Sequence, residues 1–143
     1  MIKHAQKATF IPLYEDTDTP IEAANKSTKK LAPINQYDVV ILGLGTDGHT
    51  ASLFPKAKNL QDALAADAPA CLAIDPITNN MMRVTQSKVR LLNASNIYFH
   101  LVGKNKLDIL NKVLTDSNVE NYPASHFIHQ NAVPITIYFA QTK

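Results

Sequence analysis

The chain has 143 residues, of which 45% are hydrophobic and 18% charged, and this composition is typical of a soluble folded domain with a sizeable core. Its formal net charge of +2 is too small to indicate a nucleic-acid-binding surface. The single cysteine, Cys71, excludes an internal disulfide and fits a reducing compartment. No stretch resembles a secretory signal or approaches the ~20 apolar residues of a membrane span, so we expect a cytoplasmic protein without membrane partners.

The first predicted elements are a helix and a buried strand. Thr19, Pro20 and Glu22 have the spacing of a capping box with proline at the first helical position, which predicts a helix over residues 20–31. The continuous apolar run at residues 37–42, YDVVIL, predicts a strand buried on both faces, as in a parallel sheet.

The rest of the chain continues this alternation. A short helix is predicted over residues 49–54, where Pro55 interrupts it. Further apolar patterns predict strands at 70–74, 81–85, 97–102 and 134–140, and helices at 87–94 and 104–114. Strands that alternate with helices indicate an α/β domain with a largely parallel sheet, and we treat residues 1–143 as a single domain.

A glycine-rich loop follows the first predicted strand. It begins at Gly43 and reads GLGTDGHTASLFP, so its first six residues match the G-x-G-x-x-G spacing of dinucleotide-binding loops. Two features argue against a dinucleotide. Pro55 cuts the helix that should run on unbroken, and Asp47 and His49 replace the small or apolar residues of that fingerprint.

The same loop offers the groups needed for acid–base chemistry. An imidazole has an ordinary pKa near ~6.5, so His49, in the first turn of the predicted helix, is a candidate general base. Asp47 either orients this base or forms an Asx-turn that shapes the loop. The backbone N–H groups around Gly45 and Gly48 are candidate donors to an oxyanion. From the residues alone, a purely structural role for His49 stays open.

Four short motifs carry a family resemblance. The loop at 43–55, with its Ser-Leu-Phe-Pro ending, resembles the signature of the 6-phosphogluconolactonases. The glucosamine-6-phosphate deaminases of the same superfamily share the glycines, aspartate and histidine but continue with a Phe-Asn-Glu-Pro type ending. Residues 83–85, 103–106 and 123–125 resemble the family's Arg-Ile-Thr, Gly-x-x-Lys and Pro-Ala-Ser motifs, in the same order.

The resemblance implies hydrolysis of 6-phospho-D-glucono-1,5-lactone to 6-phosphogluconate in the oxidative pentose phosphate pathway. This reaction opens an activated ester and needs no metal or cofactor. His49 would be the base, supported by Asp47, and the phosphorylated sugar lactone would be bound by Gly43, Gly45, Gly48, Arg83 and Lys106. Two alternatives remain: a glucosamine-6-phosphate deaminase or isomerase, and a phosphosugar-binding module without catalysis.

The positions of Lys106 and Arg83 in the sequence are also informative on physical grounds. Lys106 lies in the first turn of a predicted helix, where the helix dipole disfavours a positive charge, so an anionic ligand or simple solvation must explain it. Arg83 follows two methionines in an otherwise apolar strand, which indicates an anionic partner, either a ligand or a carboxylate of the chain itself.

The family's N-terminal motifs have no counterpart here. Residues 1–40 match neither its Gly-Gly-Ser-Thr-Pro type phosphate loop nor its Asp-Glu-Arg segment. The resemblance therefore implies a three-layer α/β/α fold with a largely parallel sheet, of which this chain lacks the N-terminal strands and spans about the C-terminal three-fifths. We expect the exposed sheet edges to favour self-association.

Overall fold

A computed structural model of the chain describes residues 5–14, 16–77, 81–116, 118 and 120–141. Helices and strands are interspersed through these residues, which confirms the α/β class. Their order is α1 (Pro20–Leu31), β1 (Tyr37–Leu42), α2 (Leu60–Leu64), β2 (Cys71–Ile74), β3 (Arg83–Gln86), α3 (Lys88–Leu92), β4 (Ala94–Val102), α4 (Lys104–Thr115), α5 (Ser125–Ile128) and β5 (Ile135–Ala140). The short helices α2 and α5 were not predicted, because four or five residues carry too little periodicity to be recognised.

The main sheet is parallel, as predicted. Its strand order is β1-β4-β5, with Leu42 of β1 opposite Phe99 of β4, and Phe99 opposite Ile137 of β5. Strands β2 and β3 form a separate antiparallel pair, with Cys71 opposite Gln86. The predicted strands at 70–74 and 81–85 thus make a hairpin outside the parallel sheet.

One face of the parallel sheet carries the core. Alternate side chains of β1 and β4 are buried against α4 and α5, and the cluster includes Val40, Leu42, Ile97, Phe99, Leu101, Ile109, Leu110, Val113 and Phe127. The opposite face is open along β1 and β5, where Val39, Ile41 and Tyr138 are 48%, 71% and 58% exposed. The prediction that β1 is buried on both faces was therefore wrong, because no helix of the described residues covers these side chains as a third layer would.

Helix α1 begins as its capping box predicts. The Thr19 hydroxyl accepts a hydrogen bond from the Glu22 N–H at 3.2 Å, with Pro20 in the first turn. The helix buries Ala24 and Leu31 against the β2–β3 hairpin, so it packs on the hairpin rather than on the parallel sheet. No helix in the described part of the chain is long and apolar enough to cross a membrane.

Candidate active site

The glycine-rich loop leaves β1 at the carboxyl edge of the parallel sheet, the edge at which α/β folds bind their ligands. Three hydrogen bonds close it. The Thr50 hydroxyl donates to the Gly43 carbonyl at 2.8 Å, the Gly45 N–H to the His49 carbonyl at 2.8 Å, and the Gly48 N–H to the Gly45 carbonyl at 3.0 Å. The loop is therefore a compact unit held by its own backbone.

The short helix predicted over residues 49–54 is absent, and this prediction was wrong. Two tight turns replace it, closed by hydrogen bonds from the Leu53 N–H to the Thr50 carbonyl at 2.9 Å and from the Ala57 N–H to the Phe54 carbonyl at 3.2 Å. His49 therefore does not lie at a helix N-terminus, and no helix dipole acts on a ligand there.

Each of the two turns contains one residue with a left-handed backbone conformation. Ala51 and Lys56 have positive φ values of 50° and 60°, a left-handed conformation that costs non-glycine residues of order 1–3 kcal/mol each. Pro55 occupies the second position of its turn, where its fixed φ is favourable. The Ser52 N–H donates to the Thr85 hydroxyl of β3 at 3.2 Å, so this N–H is tied to the hairpin.

Asp47 and His49 form the central pair of the site. The His49 Nδ1 lies 2.6 Å from the Asp47 Oδ1, and the His49 backbone N–H donates to the same carboxylate oxygen at 3.2 Å. The side chains are 31% exposed for His49 and 49% for Asp47. The two expected geometries, an orienting hydrogen bond and an Asx-turn, are thus both present, and the carboxylate holds the ring by Nδ1 with Nε2 available to a ligand.

At two of the three loop glycines an added Cβ would overlap a neighbouring ring. A Cβ at Gly45 would lie 2.1 Å from the His49 Nδ1 and 2.6 Å from the Asp47 Oδ1, so the ring occupies the space that a side chain would need. Gly48 has φ +83°, and a Cβ there would lie 2.4 Å from the Tyr122 ring. At Gly43 a Cβ would meet nothing within 4 Å.

The backbone N–H groups of the two glycines expected to bind an oxyanion are already hydrogen-bonded. The N–H groups of Gly45 and Gly48 already donate to carbonyls of the loop, so these two groups are not free to bind an oxyanion. Within the described residues, the N–H groups of Thr46 and Asp47, between the two glycines, have no acceptor. The N–H groups of Thr46 and Asp47 are therefore candidate oxyanion donors.

Lys106 reaches the loop from α4. Its Nζ donates to the Leu44 carbonyl at 2.6 Å, and the side chain is half-buried. An ammonium group has three donors, so two remain for an anion. Lys104, in the same helical turn, is exposed. The structure thus brings Lys106 to the loop that holds Asp47 and His49.

Arg83 is not brought into contact with the loop. It is half-buried in β3, and its Nη1 lies 3.4 Å from the Met81 sulfur. No carboxylate of the described residues pairs with it, so the internal salt bridge considered above is not observed there. Because side chains alternate along a strand, Arg83 lies on the same face of β3 as Thr85, whose hydroxyl contacts the loop at Ser52.

Two aromatic neighbours of the site were missed by sequence reasoning. The Phe54 ring lies beside the His49 imidazole, with centroids 4.5 Å apart and planes tilted by 43°. Tyr122 packs against Gly48, and the next residues tie down the loop through the Ala124 N–H, which donates to the Gly48 carbonyl at 3.0 Å. The Ser-Leu-Phe-Pro and Pro-Ala-Ser motifs were the available signals, but neither indicates such contacts by itself.

Metal binding finds no support in the described ranges of the chain. They contain no group of three or more histidine, cysteine, aspartate or glutamate side chains placed to hold an ion.

Comparisons with known proteins identify relatives along nearly the whole chain. Residues 1–136 match the family model described as glucosamine-6-phosphate isomerases/6-phosphogluconolactonase. A 6-phosphogluconolactonase of Pseudomonas putida is 33% identical over 136 residues, covering 94% of this chain and 55% of its own length. One of Rhizobium meliloti is 31% identical over 138 residues, covering 95% and 60%.

Structural comparison agrees. The crystal structure of a 6-phosphogluconolactonase from Shewanella baltica superposes with a TM-score of 0.89 at 34% identity, covering 96% of this chain and 59% of that one. The chain thus spans between a half and two-thirds of the length of the relatives that it matches.

Proposed function

The chain belongs to the glucosamine-6-phosphate isomerase/6-phosphogluconolactonase family, and on that premise we propose that it hydrolyses 6-phosphoglucono-1,5-lactone to 6-phosphogluconate in the pentose phosphate pathway. The similarity to 6-phosphogluconolactonases of Pseudomonas putida and Shewanella baltica supports this substrate. The observation that carries the proposal is the Asp47–His49 pair, joined at 2.6 Å in the loop after β1.

His49 acts as the base through Nε2. It takes a proton from a water molecule as the water oxygen attacks the lactone carbonyl carbon. The bond between that carbon and the ring oxygen then breaks, and His49 returns the proton to the departing oxygen. Water and lactone together give the open hydroxy acid, and the imidazole regains its starting state.

Asp47 supports both stages. Its carboxylate holds the Nδ1–H of His49, which leaves the lone pair on Nε2, where the water must lie. When His49 carries the extra proton, the same carboxylate stabilises the imidazolium charge. The N–H groups of Thr46 and Asp47 donate to the oxyanion that forms on the lactone carbonyl.

The remaining residues bind the substrate. Lys106 holds the phosphate with the two donors that the Leu44 carbonyl leaves free, and Arg83 contributes the second cation from β3. The absence of a side chain at Gly43, where a Cβ would meet nothing within 4 Å, lets the sugar approach the loop backbone closely. Gly45 supports the substrate indirectly, by leaving room for the His49 ring. Gly48 supports the substrate indirectly by keeping the loop closed against Tyr122.

The proposal is tested by the rate of lactone opening above the spontaneous background. His49→Ala is compared with His100→Ala, which removes an exposed histidine of β4. Loss of a general base lowers the rate by about 10²–10⁴-fold, so we expect this loss in His49→Ala alone. An equal rate in the wild-type chain and His49→Ala would exclude His49 as the base.

Two other outcomes would replace the proposal. Stabilisation by 6-phosphogluconate without turnover by the wild-type chain would indicate a phosphosugar-binding module. Ammonia release from glucosamine 6-phosphate would indicate a deaminase. All three assays use the same purified chain, so a single protein preparation is enough to distinguish the three functions.

The phosphate assignment has its own matched pair of variants. Lys106→Ala should lower kcat/KM for the phosphorylated lactone by about 10-fold or more, the effect of losing a charge-assisted hydrogen bond, and affect the unphosphorylated lactone less. Lys104→Ala removes the lysine two residues earlier on the same helical turn, and it should affect kcat/KM for the two lactones equally. If Lys106→Ala affects both lactones equally, Lys106 does not bind the phosphate.

A further inference from the structure

The ring of His49 is confined on three sides. The Asp47 carboxylate lies 2.6 Å from Nδ1 on one side. On the second side is Gly45, where an added Cβ would lie 2.3 Å from the ring carbon Cε1. On the third is the Phe54 ring, with its centroid 4.5 Å from that of the imidazole. Among the described residues, Nε2 has no hydrogen-bond partner. We propose that Phe54 is a positioning residue, which fixes the imidazole so that Nδ1 faces Asp47 and Nε2 faces the water. This inference rests on the proposed function.

The hydrogen bond to Asp47 is not a sufficient restraint by itself. The side chains of His49 and Asp47 are 31% and 49% exposed, so water competes for both, and such exposed pairs hold their geometry weakly. A half-turn of the ring about its bond to Cβ would move Nδ1 away from the carboxylate and bring a ring carbon into its place. The Phe54 ring blocks this movement from a side that Asp47 does not control.

The backbone around Phe54 forms two consecutive tight turns. Phe54 directly follows the turn that the Leu53 N–H closes and is the first residue of the turn that the Ala57 N–H closes, so it lies between the left-handed residues Ala51 and Lys56. Leu53 and Ala57, whose N–H groups close the two turns, are 0% and 6% exposed, which anchors both turns in the core. Backbone strain concentrated around one side chain is a feature of sites where geometry is functional. Here the side chain so placed is the one in contact with the imidazole.

The test is the tautomer of His49, read from the imidazole nitrogen signals of the ¹⁵N-labelled chain by NMR at alkaline pH. The wild-type chain should show the tautomer protonated at Nδ1. In Phe54→Leu the ratio of this tautomer to the other should fall by about 2- to 12-fold, the range expected on losing one aromatic contact. Phe54→Tyr, which keeps the ring, should retain the wild-type ratio.

The same spectrum contains its own control. The Nε2 of His129 lies 2.8 Å from the Val113 carbonyl, and a carbonyl only accepts, so His129 should be protonated at Nε2 in every folded variant. If Phe54→Leu loses this signal because it does not fold, Phe54→Met, which fills the space with a flexible side chain, takes its place. An unchanged His49 ratio in a folded variant would overturn the inference.

Turnover gives a second readout. Phe54→Leu should lower kcat with less than about a twofold change in KM, because it disturbs the base and not the phosphate contacts. A fall in kcat without a change in tautomer would also overturn the positioning role. Absence of turnover in the wild-type chain would count against the proposed lactonase alone, since the tautomer measurement does not depend on it.

Discussion

Replacing Gly45 by alanine tests the site at its most crowded point. The added Cβ would lie 2.1 Å from the His49 Nδ1, 2.3 Å from its Cε1 and 2.6 Å from the Asp47 Oδ1. Since non-bonded heavy atoms settle at about 3.5–4.0 Å, the imidazole must move by more than about 1 Å. The 2.6 Å hydrogen bond to Asp47 cannot survive that displacement.

The expected effects on rate and on stability differ sharply. A displacement of about 1 Å at a catalytic group costs roughly 10²-fold in rate, so lactone opening should fall by that factor or more. The exposed Asp47–His49 pair contributes only about 0–1 kcal/mol to folding. The free energy of unfolding should therefore fall by no more than about 1 kcal/mol, because the ring can swing into solvent.

Gly43→Ala is the matched control for the glycine-to-alanine change. Its Cβ would meet nothing within 4 Å, so it should raise the free energy of unfolding by about 0.4–1 kcal/mol through the unfolded chain and keep the His49 tautomer. Urea unfolding and the NMR spectrum give these quantities without turnover. If Gly45→Ala keeps the wild-type tautomer and rate, the placement of His49 over Gly45 is wrong.

Two further predictions concern stability and reactivity. Gly48→Ala should lower the free energy of unfolding by about 1–3 kcal/mol, because φ is +83° and the Cβ would lie 2.4 Å from the Tyr122 ring. Urea unfolding measures this, and a rise in the free energy of unfolding like that expected for Gly43→Ala would contradict it. Burial raises the pKa of the Cys71 thiol to about 11, although the Thr28 hydrogen bond and Arg90 act in the opposite direction. At pH 8 a thiol-specific disulfide reagent should therefore label the native chain about 100-fold more slowly than the urea-unfolded one. Above pH 9 the unfolded thiol ionises first, so the free energy of unfolding should decline as the pH rises to 11.

The sequence was most informative where one local pattern has one structural meaning. The capping box at Thr19 placed the start of α1, and apolar runs located the parallel strands to within a few residues. The spacing of Asp47 and His49 was also sufficient to predict that these two residues are in contact, because an aspartate two residues before a backbone N–H forms an Asx-turn through local geometry alone. The catalytic and binding roles assigned to these residues stay predictions.

The failures lie where the outcome depends on distant residues or on rare backbone states. The helix predicted over 49–54 is replaced by turns that need positive φ at Ala51 and Lys56, which no residue preference signals. The burial predicted for both faces of β1 depends on what covers Ile41, a property that the strand itself does not encode. The contact of Phe54 with His49 follows from those same turns and was invisible for the same reason.

The anchoring of the loop has a consequence for folding. The Leu44 carbonyl is held by Lys106, 62 positions along the chain, and the Gly48 carbonyl by Ala124, still further away. Contacts of such long range form late, because the intervening chain must be ordered before they stabilise anything. The loop is therefore expected to reach its final shape only when α4 and the segment before α5 have docked, and to be among the first parts lost when they separate. Amide exchange at Gly45 and Gly48 should accordingly report that long-range docking rather than the local stability of β1.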